Sequence, residues 1–329
     1  MKKPFPYPKS ISLAHRPSRI EHLERLSREL NGPEIYIKRD DDTCCLLSGN
    51  KVRKLEFFIA DALNKGADSL ITCGGLQSNH ARTTAIAAKR YGLGCHLILR
   101  GKKTEIPDAN YFLDSLVGAE VTFVTKSQYL NRKEVFDKLE KRLLQHGKKS
   151  YSIPEGGSNG LGAMGYVRAM EEIHDQMEQM EIDFDAIITA VGSGGTYAGL
   201  LIGKKFFNVR AEVIGFNIAA TARYFVKEIL RCARESETLL KINLHLSRKD
   251  IKIIDGYVGR GYAKSRPEEI ALIKRVAKLE GIILDPVYTG KALFGLADQI
   301  KKGKFEKGQK ILFIHTGGIF GLFPYREWF

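Results

Sequence analysis

Residues 48–56 read SGNKVRKLE, a short Ser-Gly-Asn turn followed at once by a lysine and a helical pattern. Beyond the turn, apolar residues recur at spacings of three and four and so share one helix face: Leu55, Phe58, Ile59 and Leu63. The pattern predicts that Lys51 lies at a helix N-terminus, where the peptide dipoles disfavour an ammonium group and favour the neutral amine. A neutral amine can form a Schiff base with an aldehyde. For this residue alone, an ordinary solvated lysine is the competing interpretation.

The length and composition predict a soluble protein of two domains. The chain has 329 residues, of which 43% are hydrophobic and 27% are charged. No apolar run approaches the roughly 20 residues that span a bilayer. Lys2 and Lys3 are basic, but prolines at positions 4, 6 and 8 occupy the place where a signal peptide has its apolar segment. We therefore predict a cytoplasmic protein without a membrane partner.

The five cysteines show no CxxC spacing, and no paired histidines accompany them. This pattern predicts neither structural disulfides nor a metal site. The adjacent Cys44 and Cys45 are interpreted as small buried hydrophobic residues rather than as a redox pair.

The net charge of +14 raises the question of nucleic-acid binding. The basic residues are scattered, with modest clusters at 102–103, 148–149 and 301–302, and no recognised nucleic-acid module is present. We therefore predict no nucleic-acid partner, and salt-dependent binding to duplex would contradict this. A basic surface remains compatible with attraction of small anionic ligands.

Apolar strands and amphipathic helices alternate along the chain. Strands are predicted at residues 35–37, 69–72, 96–99, 121–124, 151–153, 186–191, 212–216, 281–284 and 310–315. Helices are predicted at residues 20–30, 51–66, 79–91, 109–116, 133–144, 160–177, 196–206, 222–234, 267–280 and 291–301. This alternation is typical of parallel sheets covered by helices. The sequence thus predicts an α/β fold, divided near residues 155–165 into two domains.

Glycine-rich and polar loops follow several predicted strands, at the edge where parallel sheets bind ligands. Residues 191–196, VGSGGT, can turn backbone N–H groups inward and open a helix, which suits a phosphate group. A purely structural turn is the equal alternative there. Residues 78–80, SNH, offer a hydroxyl, an amide and an imidazole, although Ser78 or Asn79 could simply cap the following helix. Polar loops also occur at residues 259–262, 285–291 and 315–318.

Seven stretches, in this order, resemble the D-cysteine desulfhydrase and 1-aminocyclopropane-1-carboxylate (ACC) deaminase family of pyridoxal-phosphate enzymes. They are IYIKRDD (35–41), GNKVRKLEF (49–57), QSNHARTTA (77–85), PEGGSNGLGAMGYV (154–167), GSGGTYAG (192–199), LDPVYTGKA (284–292) and ILFIHTGG (311–318). The resemblance implies fold type II, the tryptophan synthase β-like architecture of two three-layer α/β domains with mainly parallel sheets. It also implies a larger cofactor-binding domain of residues 1–46 and 161–329, a smaller domain of residues 47–160, and a homodimer.

The resemblance implies roles in cofactor binding for several of these loops. Lys51 corresponds to the lysine that binds pyridoxal phosphate (PLP) covalently, and Asn79 corresponds to the residue that contacts the phenolic oxygen of the cofactor. Thr316 is the candidate partner of the pyridine nitrogen. The phosphate cradle corresponds to Gly192, Ser193, Gly194, Gly195 and Thr196.

The resemblance also implies which residues act on the substrate, a small amino acid. Catalytic positions are matched by Lys51, Ser78, Tyr262 and Tyr288. Once free, Lys51 can act as a base, and a hydroxyl such as that of Ser78 or Tyr288 can assist. Substrate contacts are expected from Ser78, Asn79, His80 and Thr289.

Position 289 separates the members of the family. Ring-opening deaminases carry glutamate immediately after the tyrosine of the DPVY sequence, whereas this chain has Thr289. A carboxylate near the pyridine nitrogen would favour its protonation, and a hydroxyl cannot hold that proton by charge. The resemblance therefore implies β-elimination, with D-cysteine converted to pyruvate, sulfide and ammonia. The alternatives are an L-cysteate sulfo-lyase, an ACC deaminase and a non-catalytic PLP-binding protein.

Overall fold

A computed structural model describes residues 4–329; Lys2 and Lys3 lie outside these residues. The strands are β1 (Ile20–His22), β2 (Glu34–Lys38), β3 (Ser69–Gly75), β4 (Gly94–Arg100), β5 (Glu120–Val124), β6 (Ser150–Ser152), β7 (Ala186–Val191), β8 (Glu212–Asn217), β9 (Lys252–Ile254) and β10 (Lys310–Ile314). The helices are α1 (Glu24–Leu30), α2 (Asn50–Asn64), α3 (Asn79–Arg90), α4 (Ala109–Leu116), α5 (Lys126–Leu130), α6 (Arg132–Gln145), α7 (Gly160–Met180), α8 (Gly195–Phe206), α9 (Ala222–Leu240), α10 (Pro267–Glu280) and α11 (Thr289–Lys301). No helix within residues 4–329 is long and apolar enough to cross a membrane.

The strands form two sheets. The larger sheet has the order β1-β2-β10-β7-β8-β9, in which β1 is antiparallel to β2 and the other pairs are parallel. The smaller sheet has the order β5-β4-β3-β6 and is parallel throughout. Parallel strands end at the same edge of their sheet, so the polar loops that follow β3, β7 and β10 are gathered at two facing edges.

Helices cover both faces of each sheet. Buried side chains of α7, α8 and α9 pack on one face of the larger sheet, and those of α1, α10 and α11 pack on the other. The smaller sheet packs against α2 and α3 on one face and against α6 on the other. The predicted α/β fold of two three-layer units with mainly parallel sheets is confirmed. The division into residues 1–46 with 161–329 and residues 47–160 stays a prediction.

Helix α2 lies between the two sheets. Phe57 packs into the core beside α7, and the next residue, Phe58, packs into the core of the smaller sheet. The helix begins after Gly49, whose φ of +99° is a conformation that side chains disfavour and whose added Cβ would lie 2.6 Å from the Thr316 oxygen. The Asn50 N–H donates to that same oxygen at 3.1 Å. Lys51, the next residue, is therefore held between the facing edges of the two sheets.

Three local predictions are wrong. Ile20 belongs to strand β1, and the first helix begins only at Glu24. Residues 281–284 form no strand, because β10 already pairs with β2 and β7, and the Ile283 oxygen contacts His315 Nε2 at 3.0 Å instead. Cys45 is exposed although its neighbour Cys44 is buried. Strand β9 lies in a charged segment for which no strand was predicted.

Candidate active site

The loops at the facing edges of the two sheets surround one pocket. Most of the residues singled out from the sequence line it: Lys51, Ser78, Asn79, His80, Gly192, Ser193, Gly194, Thr196, Tyr262, Tyr288 and Thr316. Gly195 and Thr289 lie behind the wall, where both are buried. The fold thus brings together residues from six separate segments of the chain, and their roles in binding or catalysis stay predictions.

Lys51 presents its amine to this pocket from the first turn of α2. Its Nζ donates to the Gly156 oxygen at 3.3 Å. Burial lowers the pKa of Lys51 to about 8, against the opposing charge of Glu155. Burial therefore favours the neutral amine independently of the helix dipole.

The glycine loop after β7 opens helix α8. Gly194 is the N-cap, with φ +89° and ψ −30°, a conformation that glycine adopts without strain. A Cβ at Gly195 would lie 2.7 Å from Ser158 Oγ and 3.0 Å from Lys54 Nζ, so only glycine leaves this space open. Thr196 follows, and its Oγ1 accepts from Asn50 Nδ2 at 3.0 Å. A helix N-terminus with small residues before it suits an anion.

Lys54 lies directly beside this loop and is fully buried. Its Nζ donates to the Gly156 oxygen at 3.2 Å, the same oxygen that Lys51 contacts, and lies 3.4 Å from Ser158 Oγ. Burial and the neighbouring Lys51 hold the pKa of Lys54 well below its ordinary value. Lys54 is not among the site residues predicted from the sequence. The signal that could have indicated a role is its i, i+3 spacing from Lys51, which puts both amines on one face of α2.

Ser78 and His80 belong to the loop that starts α3. Ser78 is the N-cap and accepts from the Ala81 N–H at 3.2 Å, so the capping alternative is confirmed for this residue. Its hydroxyl also faces the pocket. His80 Nε2 lies 2.9 Å from Thr72 Oγ1, and Thr72 donates its own proton to the Ile153 oxygen.

This arrangement defines the state of His80. Because the Thr72 hydroxyl has already used its proton, His80 Nε2 must carry the hydrogen, and Nδ1 is then an acceptor. Burial, followed by the charges of Lys51 and Lys54, holds the pKa of His80 well below its ordinary value. His80 Nδ1 is buried without a partner among residues 4–329. His80 is therefore a neutral acceptor at the pocket wall.

Tyr262 and Tyr288 form a hydrogen-bonded pair on the pocket wall. Their hydroxyl oxygens are 2.5 Å apart, and the rings meet edge to face. Burial raises the pKa of Tyr262 to about 12 and raises the pKa of Tyr288 well above its ordinary value, where the Tyr262 contact adds to the effect. Both hydroxyls therefore remain protonated near neutral pH and can donate hydrogen bonds.

Thr289 stabilises the turn that presents Tyr288. Its Oγ1 donates to Asp285 Oδ1 at 2.7 Å and accepts from the Asp285 N–H at 2.9 Å. The Asp285 carboxylate also accepts the backbone N–H groups of Val287 and Tyr288 at 2.8 Å each. Burial raises the pKa of Asp285, and these donors oppose the shift. A direct substrate contact from Thr289 stays a prediction.

Sequence patterns missed two charged residues of the pocket wall, Arg100 and Glu155. The Arg100 guanidinium lies over the rings of Tyr129 (5.3 Å) and Tyr262 (5.8 Å) and makes no hydrogen bond or ion pair with residues 4–329. Glu155 accepts from Tyr129 at 2.6 Å and pairs with Arg132 at 3.3 Å. Arg100 therefore places on the pocket wall a positive charge that no acidic side chain within residues 4–329 pairs with. The sequence feature that could have indicated Arg100 is its position at the carboxyl end of β4.

The profile of a protein family described as "Pyridoxal-phosphate dependent enzyme" matches residues 11–317. The chain belongs to the pyridoxal-phosphate-dependent enzyme family. A solved structure described as an ACC deaminase homologue superposes with a TM-score of 0.88 at 40% identity, covering 98% of this chain and 95% of the other. The resemblance and the fold type II architecture expected from the sequence are confirmed, and PLP is the cofactor.

Two curated relatives place the enzyme more closely. The Arabidopsis thaliana protein "Bifunctional D-cysteine desulfhydrase/1-aminocyclopropane-1-carboxylate deaminase, mitochondrial" is 43% identical over 324 residues, which cover 95% of this chain and 79% of the relative. A Klebsiella pneumoniae "D-cysteine desulfhydrase" is 40% identical over 320 residues, which cover 96% and 95%. The protein is similar to both along nearly its whole length.

The residues of the pocket fit PLP. The space beside Gly195 is one that a Cβ would fill, and it is bordered by the start of α8 and by Lys54. Such a site suits the phosphate, since backbone N–H groups, hydroxyls and a buried cation are the donors that phosphate requires. The Lys51 amine, also on the wall, suits the aldehyde. We expect Lys51, Lys54 and the 192–196 loop to hold the cofactor.

The lowered pKa of Lys51 predicts how cofactor capture by the apoenzyme depends on pH. The amine reacts only when neutral, and its pKa is about 8. Below that pH, the rate of capture should rise about tenfold per unit, and it should level off above it, whereas an ordinary lysine would continue to about 10.4. Absorbance of the bound cofactor after rapid mixing measures this rate. A rate still rising steeply at pH 10 would contradict the shifted pKa.

Proposed function

We propose that this PLP-dependent enzyme eliminates the β-substituent of a small amino acid and that D-cysteine is converted to pyruvate, sulfide and ammonia. The observation that carries the proposal is the Tyr262–Tyr288 pair, which brings two protonated hydroxyls to the same pocket as Lys51. Elimination of a thiol needs a base at Cα, and a hydrogen-bond donor beside the departing sulfur stabilises the negative charge that develops there. The similarity to the Klebsiella pneumoniae enzyme supports the same substrate.

The side chains divide the reaction between them. When bound, PLP delocalises the electron pair that remains after Cα loses its proton. Lys51 takes that proton, because a pKa of about 8 leaves a useful fraction of neutral amine at physiological pH. The Tyr262–Tyr288 pair donates a hydrogen bond to the departing sulfur, which leaves as a thiolate because the raised pKa of both hydroxyls makes them weaker acids than a thiol. Ser78 and the neutral His80 border the same space and can hold the substrate carboxylate and amino groups.

A second candidate is release of sulfite from cysteate. It is favoured by Arg100, whose guanidinium lies on the pocket wall and over the ring of Tyr262 without an acidic partner among the described residues. A guanidinium is well suited to a sulfonate because its fork of N–H donors can pair with two of the three oxygens of that anion. A thiol substrate would leave this charge unused.

The homodimer and cytoplasmic location are also proposals, and they rest on the family resemblance and the sequence.

ACC deamination is the third candidate, and Thr289 argues against it. The cyclopropane substrate has no Cα hydrogen and no leaving group, so a carbon–carbon bond must break and a protonated pyridine nitrogen matters more. Thr289 cannot hold that proton by charge. Thr289→Glu should narrow the difference in rate between D-cysteine and ACC. However, the new carboxylate would face the Asp285 carboxylate at close range, because the side chains of residues 289 and 285 are in hydrogen-bond contact at 2.7 Å. Compensating changes would be needed for a full switch.

A substrate panel on the holoenzyme tests the proposal. We expect keto acid and sulfide from D-cysteine at a rate at least about a hundredfold above keto acid from ACC, which corresponds to ~3 kcal/mol in barrier height. D-Alanine, which lacks a leaving group, is the matched control and should give no keto acid. Faster release of sulfite from D- or L-cysteate would establish the second candidate instead. Equal rates with ACC and D-cysteine would show that position 289 does not discriminate.

A further inference from the structure

Behind the pocket, a chain of hydrogen bonds runs from Arg82 through Asn110 to Asn79. Arg82 Nε donates to Asn110 Oδ1 at 3.1 Å. Asn110 Nδ2 lies 3.1 Å from Asn79 Oδ1 and 3.2 Å from the Gln77 backbone oxygen. Arg82 and Asn110 are fully buried, whereas Asn79 reaches the pocket. None of these contacts is part of the mechanism above.

The partners of Asn110 define which way its amide faces. Arg82 has donors only, so the atom of Asn110 that faces it must be the oxygen. The Gln77 carbonyl has lone pairs only, so the other side of the amide must be the NH₂ group. Two independent contacts therefore assign the same orientation, and rotating the amide by half a turn would break both.

The orientation of Asn110 is passed on to Asn79. An NH₂ group needs an acceptor, so Asn79 presents its Oδ1 to Asn110 at 3.1 Å. The Asn79 NH₂ then points the other way, and it makes no hydrogen bond with residues 4–329. The last part of the chain closes over this contact, because a Cβ at Gly321 would lie 3.9 Å from both Asn110 Nδ2 and Asn79 Oδ1.

Arg82 is held by contacts on three sides. Its terminal nitrogens donate to the backbone oxygens of Leu46 and Ser48, just before the turn that leads to Lys51. Its guanidinium lies 4.9 Å from the centre of the Phe320 ring. The group that orients Asn110 is therefore anchored to the same loop that positions Lys51 and cannot easily rotate.

We propose that Asn110, fixed by Arg82, is a positioning residue that keeps the NH₂ group of Asn79 turned toward the phenolic oxygen of the cofactor. The proposal rests on the role expected for Asn79 as the contact of that oxygen. A donor there stabilises the negative charge on the oxygen and so lets the neighbouring imine nitrogen lose its proton more readily. With the amide reversed, a carbonyl oxygen would face the negative oxygen instead, and the imine would keep its proton to higher pH.

The test is a pH titration of the visible absorption spectrum of the holoenzyme. Asn110→Asp keeps the shape of the side chain but removes its only donor, so Asn79 must turn its NH₂ group inward. We expect the titration midpoint of the bound cofactor to rise by about 1 pH unit, the effect of one hydrogen bond to a charged group. Asn79→Ala should raise it in the same direction. Asn110→Ala, which leaves Asn79 free to turn, should give a smaller rise.

The double variant separates positioning from charge. A new carboxylate could act on the cofactor directly, and that effect would persist without the Asn79 side chain. We therefore expect Asn110→Asp to cause no further rise when added to Asn79→Ala. Arg82 contacts residue 110, so the new carboxylate also changes the titration of Arg82 and of Asp114. That change occurs with and without the Asn79 side chain, so it cancels when the two backgrounds are compared.

Each outcome decides a different question. The role of Asn110 would be overturned if Asn110→Asp raised the titration midpoint equally in the Asn79→Ala background. It would also be overturned if the midpoint did not rise in folded Asn110→Asp and Asn110→Ala proteins. An unchanged midpoint in Asn79→Ala would overturn the contact of Asn79 and the inference with it. Circular dichroism verifies folding. Turnover of D-cysteine is measured separately, so its absence would contradict the proposed substrate without altering the spectral result.

Discussion

Replacing Lys51 with alanine should lower kcat for keto-acid formation by at least about a thousandfold, because one side chain supplies both the covalent link to the cofactor and the base. The amine lies on the pocket wall, whereas the neighbouring Lys54 is fully buried and does not line the pocket, and His80, which does line it, is a much weaker base. Steady-state keto-acid production from D-cysteine, at saturating PLP, measures the loss.

Lys65→Ala is the matched control. It removes a lysine from the C-terminal end of the same helix, where the side chain is exposed and pairs with Asp61 at 2.8 Å. We expect wild-type activity there. Borohydride reduction of the wild-type holoenzyme, followed by peptide mapping, should find the cofactor on Lys51 rather than on Lys54. Recovery of the adduct on Lys54, or full activity of Lys51→Ala, would refute the assignment.

Replacing Gly194 with valine should raise the dissociation constant of PLP by about a hundredfold, equivalent to ~3 kcal/mol. Gly194 holds a φ of +89°, and a β-branched residue is strained in that conformation. The loop would therefore relax, and the N–H groups at the start of α8 would turn away from the phosphate. Cofactor remaining after extended dialysis, measured by its visible absorbance, reports the change.

Gly308→Val separates general strain from damage to the cradle. Gly308 has the same φ of +89°, and an added Cβ would meet nothing within 4 Å. The two variants should therefore lose similar amounts of stability through the backbone, while only Gly194→Val loses cofactor. Full occupancy of the Gly194→Val protein after dialysis would mean that the loop is a structural turn.

The alternation of elements was largely readable from the sequence because most strands, unlike β1 and β9, are short apolar runs with glycine or proline nearby. The pocket was largely readable too, since glycine-rich and polar residues directly follow β3, β7 and β10 in the chain. Roles within it came from the family resemblance rather than from spacing. The substrate contact expected of Thr289 illustrates the limit: its nearest partner is Asp285, four residues earlier, and nothing in the spacing revealed that the hydroxyl faces the turn.

Features that depend on distant partners were not predictable. Arg100 is one basic residue among 52 Lys and Arg, and only the fold brings it over the ring of Tyr262. Asn110 becomes informative only when Arg82 lies against it. Residues 281–284 have the composition of a strand. They cannot pair with β10, however, because β2 and β7 already occupy both of its edges.

The Gly156 carbonyl that Lys51 and Lys54 share bears on the stability of the cofactor-free protein in the cell. Two amines point at one oxygen and neither makes an ion pair with a described residue, so the cofactor-free form buries both amines without the anion that would favour their charged form. A bound phosphate relieves this, and a ligand present at a thousand times its dissociation constant adds about 4 kcal/mol of stability. Newly made chains that find no PLP are therefore the ones that chaperones and proteases remove first. We expect the abundance of this enzyme, and not only its activity, to follow the supply of vitamin B6.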